Sequence, residues 1–433
     1  MKILYLTPYS PANPVFGGAL RIYHLLAHLC KYHDVTVAGY STPEEEKELI
    51  KQFPNLAGKT HLIENPNADK SARWNQIKSL FSTHSKWHQA TISEQFQQKL
   101  DRLLAAESFD IIQSEFPVMA MFRYNSTAVK IIDCHNVEYD NFKRMAKVKN
   151  PFRKLFYHLE SYKFYREETK VCAQQDGLLV TSERDISIFN ETVPDVPKYL
   201  IPNGVDTNYF QPFKTQPEPN SMVFVGMMKY VPNYEGISWF LDEIFPKILE
   251  KVPDATITIV GKNPPKSISD RANKNIIVTG FVEDTRPYVE KSAVYVVPLR
   301  MGGGTRLKIM ESLAVKKPIV TTSIGCEGID VVNGESLLIA DKPGEFAARV
   351  IELFADPERV AELTEKGYEL VKNKYRWESI GIQMEQAYKE LAGIHSIAER
   401  PAEFTEADEE AIDRWDNESN GNYNDKSYKQ EPI

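Results

Sequence analysis

The chain has 433 residues, 42% of them hydrophobic, with 52 Lys and Arg against 60 Asp and Glu and a formal net charge of -8. That length exceeds one ordinary core and predicts two domains of roughly 200 residues each, while the acidic balance excludes a general nucleic-acid binder and leaves any affinity for anionic surfaces to local patches. Four dispersed cysteines (Cys30, Cys134, Cys172 and Cys326), the short apolar start MKILYLTPYSP and the lack of 18 consecutive apolar residues predict a cytoplasmic protein, soluble or peripheral on the inner face of a membrane.

Lys2 to Thr7 reads as a buried parallel strand that ends in a loop rich in Pro and Gly. After Gly17 and Gly18, Leu20, Tyr23, Leu26, Ala27 and Cys30 recur at helical spacing, and Asp34 to Ala38 resumes as a strand. Strand, Gly loop, helix, strand opens a doubly wound α/β domain whose ligands sit beyond the strand C-termini. The Gly pair is not a GxGxxG fingerprint, so no nicotinamide site is assigned, and a plain turn is the competing reading. Residues 44 to 106 read as mostly polar helix with Trp74, Phe81 and Trp87 along it.

The strand Val129 to Asp133 runs into Asp133, Cys134, His135, Asn136, Val137 and Glu138. A His between carboxylates at a strand end suits contact with a sugar hydroxyl or proton transfer, and a loop held by Asp and Asn turn hydrogen bonds explains the same residues. From Phe142 to Lys170, nine Lys or Arg stand against three Glu, interleaved with Phe152, Phe156 and Tyr157. This composition fits an anionic membrane surface or polyanionic acceptor, and equally the solvated face of a helix. Ser182 to Asp185 has capping-box character. Tyr199 to Asp206 and the Pro-rich stretch to Pro219 form the domain linker.

A second α/β series starts at Met222 to Val225, with a loop after Gly226 holding Lys229, Pro232 and Asn233, and a helix from about Tyr234 to Glu250. Strands Thr256 to Val260 and Ile276 to Thr279 end in Gly261 and Gly280. The strand Ala293 to Val297 leads into PLRMGGGTRLKIMESLAVKKPIV, where three glycines precede a helix expected to be capped by Thr305 and carrying Arg306, Lys308 and Glu311. Glycines admit a phosphate to the backbone, and free N–H groups, the helix dipole and two cations favour its charge. After His395 the composition turns acidic and polar, which predicts a disordered tail over 395–433.

The second half resembles the donor-binding domain of retaining glycosyltransferases of the GT-B fold, family 4, the group 1 glycosyltransferases. The matching pieces are Ile201 to Asp206, Val225-Gly226, Ile259-Val260-Gly261, Thr279 to Val282, Gly303 to Ala314 and Lys317 to Val320, with weaker matches at Gly17-Gly18 and Asp133 to Glu138. The resemblance implies two Rossmann-like domains facing across a cleft, an acceptor-side domain over 1–205 and a nucleotide-sugar domain over 206–375. It also implies a helix at 376–394 that packs back on the first domain.

By the same resemblance, Glu311 binds the donor ribose, and Gly303, Gly304 and Thr305 hold the diphosphate and sugar. Gly17 and Gly18 lie opposite, His135 lies beside the transferred sugar with Asp133, Asn136 and Glu138 on the acceptor side, Gly226 and Lys229 belong to the donor site, and Gly261, Phe281 and Val282 wall the base. Three positions depart from the family pattern. Gly303 replaces a sugar-binding carboxylate, and Met227 and Asn233 replace basic residues, which leaves Lys229, Arg306 and Lys308 as cations for the leaving diphosphate.

The implied substrate is a UDP- or GDP-linked sugar moved to a glycan or lipid-linked acceptor, with neither cofactor nor metal, since the sequence has no Asp-x-Asp pair. A hydrolysing nucleotide-sugar epimerase of the same fold and a non-catalytic nucleotide-sugar-binding partner subunit are the alternatives.

Overall fold

The computed structural model describes residues 1–12, 14, 17–68, 79, 82–146 and 151–393. Trp74, Phe81, Lys147, Lys149 and the tail expected to be disordered lie outside the described residues.

The N-terminal domain is a seven-stranded parallel sheet formed by β1 (Lys2–Thr7), β2 (Asp34–Tyr40), β3 (Thr60–Ile63), β4 (Ile111–Glu115), β5 (Val129–Cys134), β6 (Gly177–Val180) and β7 (Lys198–Leu200). Its order is β3-β2-β1-β4-β5-β6-β7, which reverses direction between β1 and β4. Both faces are covered by helices, so the inner strands are continuous apolar runs: Ile3, Leu4, Leu6, Ile111, Ile112, Ile131 and Ile132 are fully buried. The edge strands β3 and β7 fall inside stretches that the sequence suggested were helix and linker. Each is short and only partly buried, so neither carries an apolar signal and the sheet edge alone recruits it.

The C-terminal domain repeats the plan with β8 (Glu218–Val225), β9 (Thr256–Val260), β10 (Ile276–Gly280), β11 (Ser292–Val297), β12 (Ile319–Thr321) and β13 (Leu338–Ile339), in the order β10-β9-β8-β11-β12-β13. Val294 of β11 pairs with Met222 of β8, which brings Gly226 and Pro298 to the same sheet end. The reversal between β8 and β11 opens the crevice where ligands of such sheets sit.

Six helices position the site: α1 (Gly17–Tyr32), α2 (Glu138–Met145), α3 (Pro151–Cys172), α4 (Val231–Trp239), α5 (Leu307–Ala314) and α6 (Trp377–Leu391). The helix expected from Tyr234 begins three residues earlier because Pro232 serves its first turn, and it widens into a π turn over Phe240–Ile244. The last helix, α6, crosses back to the first domain. Trp377 stacks on His24 at 4.8 Å, Ile380, Met384 and Tyr388 join the N-terminal core, and Glu385 accepts from His28 at 3.1 Å.

Candidate functional site

The two topological switch points face each other, and their loops meet. Across the cleft, a Cβ on Gly17 of α1 would stand 3.2 Å from Leu307 at the start of α5. Two helix N-termini, neither with an acidic residue in its first turn, therefore point into one space, an arrangement that favours an anion.

On the N-terminal side, Gly17 and Gly18 form the first turn of α1 rather than a loop before it. Neither has positive φ, so a tight turn does not explain them. Close approach does: a Cβ on Gly18 would lie 3.0 Å from the Tyr9 hydroxyl, 3.1 Å from Phe116 and 3.2 Å from His135 Nδ1. His135 is buried, with Nε2 2.7 Å from Glu115 Oε2 and its ring stacked on Phe116 at 3.9 Å. Phe116 adopts φ 63°, uncommon for a bulky residue, at the end of β4. Glu115 also accepts from Gln113 at 2.6 Å. Burial, then the nearby Asp133 charge, raises the Glu115 pKa. The pair fixes the ring so that Nδ1 faces the cleft.

Asp133, expected on the acceptor side, is fully buried instead. Arg21, itself fully buried, grips both its oxygens at 2.7 and 2.8 Å and donates onward to the Pro202 carbonyl and Asn203. A strand-end carboxylate under a helix finds its partner inside the fold before it can reach a substrate. Glu115, Asp133 and His135 bring ligand atoms within 4.8 Å of one another, but the Arg21 fork already occupies Asp133.

Asn136 donates to Glu138 at 3.2 Å, and its Oδ1 lies 2.1 Å from where a Cβ on Gly304 would stand. Glu138 opens α2 and is buried, which pushes its carboxyl up to about 7. The N-terminus of α2 is satisfied internally by Glu168, which accepts from the Glu138 and Tyr139 amides at 3.1 and 3.2 Å.

On the C-terminal side, Gly302 and Gly304 take φ 114° and 71°, conformations that favour glycine. Thr305 does not cap α5. The helix starts at Leu307 with Arg306 in the cap position and no side-chain cap bond. Arg306 Nη1 turns back to the Gly303 and Gly304 carbonyls and braces the loop, which displaces the helix start past Thr305. Burial lowers the Arg306 pKa.

Lys308 Nζ donates to the Val225 carbonyl at 2.7 Å and to Asn233 Oδ1 at 3.1 Å, and burial brings its pKa down to about 7. Burial raises Glu311, one turn further on, to about 7. Asn233, noted in the sequence only as a departure, is thus the anchor of Lys308. A Cβ on Gly261 would meet the Gly226 carbonyl at 2.0 Å, so these glycines let two strand ends close up. Phe281 is exposed under Lys262, Val282 packs on the core, and Lys229 is exposed on its loop.

Among the described residues, several buried polar atoms have no hydrogen-bond partner: His135 Nδ1, Asn141 Oδ1, Thr305 Oγ1, and Nε and Nη2 of Arg306. These come from both domains and border the glycine loop and Gly18. Unpartnered buried groups are costly, and this set offers donors and acceptors to one polar ligand. Sequence reading missed Tyr9, Glu115, Asn141 and the interdomain Arg144. Of these only Glu115, a charge ending the apolar strand of FDIIQSE, left a visible signal.

Away from the cleft, α3 presents Phe152, Leu155, Leu159, Tyr162 and Tyr165 to solvent, Phe152 being 84% exposed. Arg153, Lys154, Arg166 and Lys170 are exposed beside them, whereas Glu160 and Glu168 face inward and Glu167 is largely covered, accepting from the Ser85 amide. Among the described residues, no helix is long and apolar enough to cross a membrane.

Residues 219–356 match the family model of the glycosyl transferases group 1. The chain is 24% identical over 390 residues to an uncharacterised 44.6 kDa protein in the cps region of Klebsiella pneumoniae, covering 86% of this chain and 96% of that protein. It is 24% identical over 179 residues to the capsular polysaccharide biosynthesis glycosyltransferase CapM of Staphylococcus aureus, covering 39% and 46% of the two chains. Among solved structures, HepE of Anabaena in complex with UDP-glucose aligns with a TM-score of 0.60 at 14% identity, over 90% of this chain and all of that one. That likeness is one of fold.

Proposed function

We propose that this chain is a group 1 glycosyltransferase of the GT-B fold and that it transfers a sugar, with retention, from a UDP- or GDP-linked donor to a glycan or lipid-linked acceptor in surface polysaccharide synthesis. The observation that carries this reading is the convergence of unpartnered buried polar atoms from both domains on a glycine loop flanked by two helix N-termini. A nucleotide diphosphate sugar meets each need. Its diphosphate answers the backbone amides, Arg306 and Lys308, its ribose answers Glu311, and its sugar faces His135 and Asn141.

Breaking the anomeric bond leaves negative charge on the diphosphate, and preorganised cations stabilise that charge without reorganisation. Among the described residues, the strand-end carboxylates nearest the cleft are committed: Asp133 is held by Arg21 and Glu115 by His135. The reading is therefore front-face transfer, in which the departing phosphate oxygen accepts the proton of the acceptor hydroxyl. No metal takes part. The likeness to CapM and to a protein of the cps region supports a surface-polysaccharide role.

The test is a thermal-shift screen against nucleotides and nucleotide sugars, followed by transfer assays on glycan and lipid-linked acceptors. Nucleotide binding with transfer supports the reading, and turnover of donor alone to an epimer overturns it. The exposed cationic and aromatic face of α3 would hold the enzyme at an anionic bilayer where a lipid-linked acceptor resides. Sedimentation with phosphatidylglycerol vesicles, but not with phosphatidylcholine vesicles, is the expected result.

A further inference from the structure

The resemblance drawn from the sequence implies a carboxylate at position 303, in contact with the donor sugar, and this chain has Gly303 there. The space such a side chain would occupy is already taken from the other domain. A Cβ on Gly303 would lie 3.3 Å from both Cγ and Oδ1 of Asn141 and 3.4 Å from its Cβ. Asn141 sits on α2, one helical turn before Arg144, which donates to the Gly302 carbonyl at 3.1 Å. Its own Oδ1 is buried without a partner. The helix is therefore docked on the glycine loop with an uncommitted amide at the point where a carboxylate is missing.

We propose that Asn141 replaces that carboxylate from the opposite side of the cleft and is the residue through which this chain selects its donor sugar; the inference rests on the nucleotide-sugar reading above. The substitution changes the chemistry in two ways. A carboxylate only accepts hydrogen bonds, so it demands a sugar hydroxyl and repels any acceptor, whereas a carboxamide both donates and accepts. Asn141 therefore admits a donor whose sugar bears a hydrogen-bond acceptor at the facing position, the carbonyl of an acetamido group or a carboxylate. The second change is where the contact comes from. Asn141 reaches the loop from the N-terminal domain, so sugar recognition depends on the docking of α2 against the glycine loop.

The experiment compares the unmodified chain with Asn141→Asp, Asn141→Ala and the double variant Gly303→Glu/Asn141→Ala. The probes are UDP and GDP alone and three sugars on the nucleotide that binds: a plain hexose, an N-acetylhexosamine and a hexuronate. The unmodified chain is expected to prefer one of the two acceptor-bearing sugars over the hexose, the winning arm identifying the group. Asn141→Asp should shift that ratio toward the hexose by about 10-fold or more, within the range for a contact that leaves a buried polar group unpaired. Free nucleotide affinity should stay within about twofold.

The double variant restores the family's carboxylate with room to stand and should also favour the hexose, so a folding failure in one variant leaves the other to decide. An unchanged sugar ranking in variants that still bind nucleotide overturns the assignment of Asn141 alone. Failure of the unmodified chain to bind any nucleotide overturns the functional reading with it.

Discussion

Arg144 of the N-terminal domain grips Glu327 of the C-terminal domain with both terminal nitrogens, at 2.7 and 3.1 Å, while Nη1 also reaches the Gly302 carbonyl. Asp140 supports the guanidinium at 2.9 Å, and Arg184 approaches Glu327 at 3.4 Å. The fork ties α2 to the glycine loop itself, so the ion pair reports domain closure. It is partly exposed, and its contribution to global stability is about 1 kcal/mol or less.

Glu327→Gln is accordingly expected to leave the melting temperature nearly unchanged while lowering kcat/KM about 10-fold at low salt, a difference that narrows as salt screens the pair in the unmodified enzyme. Small-angle scattering should record a more open average shape. Unaltered kinetics at low ionic strength would show that closure does not depend on this pair.

The same residues mark how far the sequence could be read. The strand and glycine pattern is local, so β1, β8, β9, β11 and the GGGTRLK loop were legible from composition and spacing. Arg144 was visible only as one of nine cations in a basic stretch, because its significance depends on Glu327, 183 residues away. Asp133 was misplaced for the same reason: nothing near it in sequence announces Arg21, 112 residues earlier, as its partner. Thr305 satisfied the rule for a helix cap, but the Arg306 side chain bracing the loop outweighed it. Local rules marked the glycine loop, and long-range ion pairs decided which of its neighbours are committed inside the fold.

Arg21 and Asp133 make a stability prediction of the opposite kind from Arg144. Both are fully buried, and Arg21 also holds the linker through Pro202 and Asn203. Removing one partner leaves the other charged and unpaired, at a cost of about 3–5 kcal/mol. Arg21→Met should therefore sharply lower the urea midpoint, and Arg21→Met/Asp133→Leu should recover part of the loss. A single variant as stable as the parent would mean that the pair does not hold the linker to the sheet.

Lys308→Ala and Glu311→Ala are each expected to reduce transfer by at least about 10²-fold, the order found when one charge stabiliser is removed from a preorganised site. Their kinetic signatures should differ. Loss of Glu311 removes ribose binding present throughout the reaction and should appear chiefly in the donor KM, whereas loss of Lys308 removes a cation whose value grows as the diphosphate departs and should appear in kcat. Near-normal rates in both variants would refute the site.

Burial sets Lys308 and Glu311 both at about 7, and this predicts how protons move when a donor binds. The lowered Lys308 value means that above about pH 7 the folded, unliganded lysine is largely neutral. A diphosphate beside it favours the ammonium form, so at pH 8, where Glu311 is already ionised, donor binding should take up a proton. At pH 6 Lys308 is already charged and Glu311 is protonated. A ligand that needs the Glu311 carboxylate as an acceptor then drives a proton out, and the sign reverses.

The folding linkage has the complementary shape. The raised Glu311 value makes stability fall as pH rises from its unfolded range toward 7, and the lowered Lys308 value makes stability rise again from about 7 toward 10. The pair therefore contributes a stability minimum near neutrality that nucleotide removes. Calorimetry of nucleotide binding in buffers of different ionisation enthalpy, at pH 6 and pH 8, measures both signs directly. Equal proton exchange at the two pH values would mean that the diphosphate does not sit against Lys308.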